Sequence, residues 1–241
     1  MQHSSCAVPA FIQDHLGEDC LHVFLIHSPL AIIVSMMITK AYQIPLSRIV
    51  AVSIRRTSTE MTGFKTLPLE PRGYDRYVNR LTGRHLGAFR LRRRLEKLSK
   101  RYIIYASWVY PEVEELIASS QCAGHVIVEE GQQSYYRSMP YAKHWRNRWL
   151  FRRNKIAQGS MNHYFREDSA CHISMSPEAF PLVSQDKHYI LTNMSEIAKY
   201  YSPRLKGVRY IGLMPAPRRL APADVYPAID TLIRAIQGRG V

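Results

Sequence analysis

Residues 125–131, HVIVEEG, decide how this sequence is interpreted. Their first four residues form a short, mostly apolar run of strand length, which is typical of a buried strand. Two glutamates and a glycine follow at once, so the strand ends in carboxylates and in a residue that permits a sharp turn. Ligands of open parallel sheets bind beyond the carboxyl ends of the strands. The sequence therefore predicts a functional site at Glu129, Glu130 and Gly131.

Comparable apolar runs recur along the chain and alternate with helical patterns. This alternation predicts an α/β fold, a Rossmann-like parallel sheet flanked by helices. The first predicted helix has Ser28 as its N-cap and Pro29 as its first residue. The second is amphipathic, with a break expected near Gly83 or Gly87. The other strands are expected at 21–26, 48–54, 102–106, 170–175 and 189–192. A polar loop is expected from the end of the strand at 48–54 to Pro71. The helices are expected at 30–42, 74–100 and 111–119.

The C-terminal region predicts the beginning of a second domain. Residues 208–214 have a strand pattern, and a helix is expected at 222–237 before a glycine-rich end. A strand and a helix are half of a βαβ unit, and the next parallel strand does not follow. We therefore expect one domain at 1–205 and a truncated second domain at 206–241, although the same elements could also complete the first sheet.

The charge of the chain limits the classes of partner. Its 241 residues carry a net charge of +14 with a pI near 9.8, which predicts attraction to nucleic acid, anionic lipid, or an acidic glycan or sugar nucleotide. The four cysteines form no CxxC pair, and the N-terminus lacks the pattern of a signal peptide. The longest apolar stretch, 29–39, is too short to cross a bilayer. We expect a cytoplasmic protein, with attachment by charge to the inner membrane surface left open.

The acidic strand end predicts a general base. Adjacent side chains of a strand point to opposite faces, so one of Glu129 and Glu130 is expected in the cleft, where it could deprotonate an acceptor hydroxyl. In the alternative without function, one glutamate caps the next helix and the other faces solvent. The polar side chains that follow suit sugar recognition, namely Gln132, Gln133, Ser134, Tyr135 and Tyr136.

Further candidates lie at other strand ends and in basic clusters. His27 and Ser28 follow the first strand, and Ser176 follows the fifth; each serine is either a substrate contact or only a cap. The histidines and Cys171 have no standard zinc spacing, so no metal is expected. Two arginine clusters occur, one of Arg90, Arg92, Arg93 and Arg94, and one at 145–153 with Trp145, Trp149 and Phe151. Each would suit a membrane surface or nucleic acid, or is a solvated helix face.

Four segments resemble bacterial sialyltransferases of the GT-B fold, in particular glycosyltransferase family 52 and the related polysialyltransferases. HVIVEEGQQSYY at 125–136 is similar to their Asp/Glu-Asp/Glu-Gly segment. HVFLIHSPLAIIVS at 22–35 resembles their first strand and helix, and ISMSPEAFP at 173–181 their late strand and turn. Residues 210–240 resemble the first strand and helix of their C-terminal domain.

This resemblance implies the N-terminal half of a GT-B fold and a metal-independent, inverting transfer. Sialic acid or a related acidic sugar would move from a CMP-sugar to a cell-surface glycan of lipopolysaccharide or capsule. Glu129 or Glu130 would be the base. The family's donor-binding His-Pro motif has no counterpart, because none of the ten histidines precedes a proline. We therefore expect activity from a full-length polypeptide, and this chain alone to be inactive.

Two other classes of function remain open from the sequence. One is a non-catalytic module that binds a glycan or a membrane, which titration with CMP would distinguish from a transferase. The other is a basic nucleic-acid-binding protein, although no helix-turn-helix, KH or RRM pattern supports it.

Overall fold

The predicted apolar runs form a parallel sheet. The computed structural model describes residues 8–17, 19–54, 62–69, 85–109, 111–130, 132–135 and 168–191. These residues include a seven-stranded sheet with the order β3-β2-β1-β4-β5-β6-β7, all of it parallel. The strands are β1 Cys20–Ile26, β2 Ile49–Ser53, β3 Lys65–Pro68, β4 Arg101–Ala106, β5 Cys122–Val128, β6 Cys171–Ser174 and β7 His188–Ile190. The expected Rossmann-like α/β class is therefore confirmed.

In the part of the chain that the structure describes, four helices accompany the sheet: α1 Ala10–Leu16, α2 Pro29–Ala41, α3 Leu86–Leu98 and α4 Pro111–Ile117. Short 3₁₀ turns lie at Leu46–Arg48, Gln132–Tyr135 and Gln185–Lys187. Helix α3 begins at Leu86, after the non-helical His85, so a helix boundary lies within the interval 83–87 in which the break was expected; Gly87 itself is helical, and Gly83 lies outside the described residues. No helix in the described part of the chain is long and apolar enough to cross a bilayer.

Both faces of the central strands are buried, as their continuous apolar character requires. On one face Val23, Ile104 and Ile127 form a core with Leu91 and Leu95 of α3 and with residues of α4. On the other face the ring of Phe24 stacks on that of Tyr105, with centroids 4.3 Å apart. The sheet is thus a rigid platform whose carboxyl edge presents the loops after each strand.

The strand order defines one crevice at that edge. The chain proceeds from β1 outward to β2 and β3, and then crosses back to β4 on the other side of β1. The connections after β1 and β4 therefore diverge, and such a topological switch point is where ligands bind in open α/β sheets. The predicted site residue His27 follows β1, and Glu130 lies just after β5, one strand beyond β4.

Two larger sets of predictions lie outside the described residues, besides Gly83, Gly131, Tyr136 and the first part, 74–84, of the helix expected at 74–100. The first is the second domain at 206–241 with its strand and helix. The second is the arginine and tryptophan cluster at 145–153.

Candidate functional site

Glu129 is a buried carboxylate with both oxygens engaged. Its residue is 2 % exposed. The hydroxyl of Tyr135 donates to Oε1 at 2.6 Å, and the backbone N–H of Met175 donates to Oε2 at 2.7 Å. Because Met175 follows β6, this carboxylate ties the end of β5 to the turn after its neighbouring strand. Glu129 therefore contributes to the structure of the carboxyl edge.

Tyr135 is held as a hydrogen-bond donor. Burial, followed by the hydrogen bond to Glu129 and its charge, raises the pKa of Tyr135 to about 12, against an opposing hydrogen bond with Ser176. The phenol therefore keeps its proton at any physiological pH. Its ring is 37 % exposed, so one side of this residue remains open to a ligand.

Ser176 lies beside this cluster in the turn after β6. Its hydroxyl donates to Glu178 Oε2 at 2.7 Å, and its oxygen accepts from the Glu178 backbone N–H at 3.2 Å. This is a local turn contact of the kind that serine makes readily. Ser176 thus stabilises its own turn while remaining adjacent to Tyr135.

Glu130 points away from Glu129 and pairs with another strand. Its Oε1 contacts Nε2 of His27, at the end of β1, as a close ion pair or hydrogen bond. The two side chains are largely buried, with exposed fractions of 19 % for Glu130 and 4 % for His27. Strands β1 and β5 are separated by β4, so this contact spans the switch point. It joins two residues that are 103 positions apart in the printed sequence.

The ring of His27 is fixed from a second direction. Trp108, which follows β4, contacts it edge-on with ring centroids 4.5 Å apart and an interplanar angle of 61°. An aromatic wall on one side and a carboxylate on the other restrict the rotation of the imidazole.

Three buried polar atoms in the loops directly after β1, β4 and β5 have no hydrogen-bond partner among the described residues. They are Nε2 of His27, which has only its close contact with Glu130, Oγ of Ser107 and Oε2 of Glu130. Unsatisfied buried polar atoms are uncommon and often mark a place where a ligand or water binds. Their position at the switch point adds to the case for a site there.

Ser28 and Ser134 have structural roles. Ser28 Oγ accepts from the backbone N–H of Ala31 at 3.1 Å, which confirms the predicted cap of α2. Such a cap contributes about 1 kcal/mol. Ser134 is fully buried, and its Oγ accepts from the backbone N–H of Glu130 at 3.3 Å. Ser134 therefore fixes the main chain of Glu130, whose side chain pairs with His27.

A second polar pair lies behind Glu129. Ser174, the last residue of β6, contacts Nε2 of His188 at 2.7 Å and donates to the carbonyl oxygen of Ser176 at 2.7 Å. Burial lowers the pKa of His188, although the negative charge of Glu129 partly opposes this. A neutral His188 then donates from Nε2 to Ser174, and the network holds the turn after β6.

The structure brings the predicted residues into two groups. Glu130 joins His27 at the switch point, while Glu129, Tyr135 and Ser176 gather between β5 and β6. Gly131 lies outside the described residues, and of Gln132 only the backbone is described. The alternative places one glutamate as a helix cap and the other in solvent; instead, Glu129 bonds the turn after β6 and Glu130 contacts His27. Sequence reasoning did not single out Ser107 and Trp108, although both directly follow a predicted strand.

Within the described ranges, no three or more histidine, cysteine or acidic side chains are grouped so that they could hold a metal ion. Burial raises the pKa of the Cys171 thiol to about 12 and that of Cys122 to about 11, so neither is a thiolate near neutral pH.

Comparisons with known proteins add no relative: no family model, no curated protein and no solved structure matches the chain.

Proposed function

We propose that this chain is the acceptor-side part of a sialyltransferase-like glycosyltransferase, in which Glu130 is the acceptor base and the full-length polypeptide carries out the transfer. The observation that carries the proposal is the Glu130–His27 pair at the switch point of a parallel sheet. The resemblance of 125–136 to the acidic motif of GT-B sialyltransferases gives the reaction class. A cell-surface glycan of lipopolysaccharide or capsule type would be the acceptor, and a CMP-sugar the donor.

Glu130 is preferred to Glu129 because of its unused oxygen. Both oxygens of Glu129 accept hydrogen bonds within the protein, so a substrate would have to displace one of them. Oε2 of Glu130 is buried without a donor from the described residues, and that state costs free energy. An acceptor hydroxyl donating to Oε2 would relieve this cost, so binding and alignment for proton transfer would favour each other.

In the proposed transfer, Glu130 takes the proton from the acceptor hydroxyl while the oxygen of that hydroxyl bonds to the anomeric carbon of the donor sugar. The bond from that carbon to the phosphate oxygen breaks, and CMP leaves with the electron pair. General base catalysis of this kind contributes about 10²–10⁴ in rate.

His27 would serve as a positioning residue for the base. Its Nε2 contacts Oε1 and so restricts the carboxylate, with Oε2 left for the substrate. After proton transfer the carboxyl group would release the proton to solvent, which regenerates the ionised carboxylate. His27, packed against Trp108, would keep the carboxylate in place throughout.

The test compares Glu130→Gln with Glu129→Gln in a transfer assay that measures CMP release from CMP-sialic acid with glycan acceptors. The assay uses this chain and a version extended by any coding sequence that follows Val241. We expect E130Q to lose at least 100-fold in kcat with unchanged folding. In E130A, added formate should restore part of the rate, because a small carboxylate can replace the deleted one. Wild-type turnover in E130Q would overturn the assignment of the base.

Calorimetric titration with CMP separates this function from the non-catalytic alternative. Binding of CMP together with turnover supports the transferase. Glycan binding without CMP binding or turnover, in both versions of the protein, would instead identify a binding module.

A further inference from the structure

Helix α3 has a buried face and a cationic face. Ala88, Leu91 and Leu95 are buried, and their spacing of three and four residues forms one stripe of the helix. Arg93, Arg94 and Lys97 are exposed on the side away from this stripe. The helix therefore contributes its apolar side to the core and presents three cations outward.

The nearby carboxylates neutralise a different arginine. Arg92, which is partly buried, lies 3.5 Å from Glu96 and 3.0 Å from Glu115 of α4. Glu96 also accepts a hydrogen bond from Ser119 at 2.9 Å. Glu96 and Glu115 thus pair with the partly buried Arg92 and not with the exposed cations of α3.

The three outward cations lie apart from the described carboxylates. Within the described ranges no carboxylate lies within ion-pair distance of Arg93, Arg94 or Lys97. Helix α3 itself carries one acid, Glu96, and that acid is engaged by Arg92. A surface of this kind attracts anions over roughly one Debye length, about 8 Å at physiological salt.

Two large apolar side chains flank these cations. Phe89 is 38 % exposed and Leu98 is 43 % exposed. The guanidinium of Arg92 lies 5.0 Å from the centre of the Phe89 ring, which holds the ring at the surface. Exposed apolar groups beside cations suit a partner that has both anionic headgroups and apolar chains.

We propose that the outer face of α3 binds the surface of an anionic lipid bilayer. The face is defined by Phe89, Arg93, Arg94, Lys97 and Leu98. The cations would lie among lipid phosphates, and the two apolar side chains would enter the boundary of the acyl region. This surface contributes to binding whether or not the chain transfers a sugar.

The test is sedimentation with vesicles, and it requires no enzymatic activity. Vesicles of phosphatidylglycerol and phosphatidylethanolamine are compared with neutral phosphatidylcholine vesicles. Each cation near an anionic bilayer contributes about 1 kcal/mol, so R93Q/K97Q should bind the anionic vesicles about 30-fold more weakly. The matched control K40Q/K65Q removes the same charge from exposed positions elsewhere and should change binding by less than about threefold.

The variant F89S/L98S distinguishes a bilayer from a purely polar polyanion. We expect it to weaken vesicle binding several-fold while leaving binding to heparin or single-stranded RNA unchanged. Equal effects of R93Q/K97Q and K40Q/K65Q on vesicle binding would overturn the proposal. RNA binding without vesicle binding, or vesicle binding that F89S/L98S leaves unchanged, would overturn it as well.

Discussion

Replacing Glu129 should reduce stability strongly, whereas replacing its neighbour Glu130 should not. Glu129 is 2 % exposed and accepts two hydrogen bonds, at 2.6 Å from Tyr135 and at 2.7 Å from the Met175 backbone. A hydrogen bond to a charged group contributes about 1.5–3 kcal/mol. The variant E129A loses both bonds and should therefore be destabilised by about 3–6 kcal/mol.

The variant E129Q should be milder, because its amide can still satisfy both partners. The amide oxygen can accept from the backbone N–H of Met175, and the amide nitrogen can donate to the Tyr135 hydroxyl if that group turns to become an acceptor. Only the part of each hydrogen bond that depends on the negative charge is then lost, so the free energy of unfolding should fall by about 1–3 kcal/mol. In E130Q the loss of stability should be smaller than in E129Q, because one oxygen of Glu130 has no described donor to lose and the amide can still contact His27 through the other position.

The assay is urea unfolding followed by circular dichroism, with the free energy taken from linear extrapolation. The variant Y135F is the control for the exposed side of the network. Its cost should be smaller than that of E129A, because Tyr135 is 37 % exposed and water can donate to Glu129 in its place. The explanation is refuted if E129A unfolds within 1 kcal/mol of the wild type, or if E130A is the more destabilised of the two.

Two further predictions concern the sheet. Burial, aided by the charges of His15 and Arg48, lowers the pKa of His22 from 6.5 to about 4. As the pH falls, His22 is therefore protonated in the unfolded chain before it is protonated in the folded one. The free energy of unfolding should decline between pH 6.5 and 4. Between pH 7 and 4.5 the wild type should lose about 2 kcal/mol more than H22Q in urea unfolding, and equal losses would contradict this origin. A Cβ on Gly124 would lie 2.7 Å from Cζ of Phe11. The variant G124A should therefore lower the free energy of unfolding of the wild type but not that of F11A. If the losses of stability from G124A and F11A simply add in the double variant, the contact is contradicted.

The order of strands and helices could be predicted because both faces of the sheet are covered. Buried parallel strands are continuous apolar runs, and such runs are visible without any tertiary information. Edge strand β3, Lys65–Pro68, was instead predicted as loop, because three of its four residues are exposed and it has no apolar pattern. Helix α1 was also missed: like α4 it has seven residues, too few to show a helical period, but it lacks the acidic first turn that indicated α4.

The site could be predicted only in part. Alternation along β5 correctly sends Glu129 and Glu130 in different directions. Which carboxylate becomes structural depends on the neighbours of β5, and these follow from the strand order. Met175 supplies a donor on the β6 side, while His27 lies beyond β4 on the other side. A single sequence shows neither pairing, because the partners are separated by 46 and 103 positions.

The contrast between the two glutamates affects how a loss of activity should be interpreted. Glu129 links β5 to the turn after β6, and the chain continues directly from it to Glu130. A variant of Glu129 would therefore displace Glu130, and a displacement of about 1 Å can reduce the rate 100-fold. A kinetic loss in either variant consequently does not identify the base. Restoration of the rate by formate does, because a small carboxylate can replace a missing base in an intact site but cannot rebuild the link between two strands. We therefore expect rescue in E130A and none in E129A.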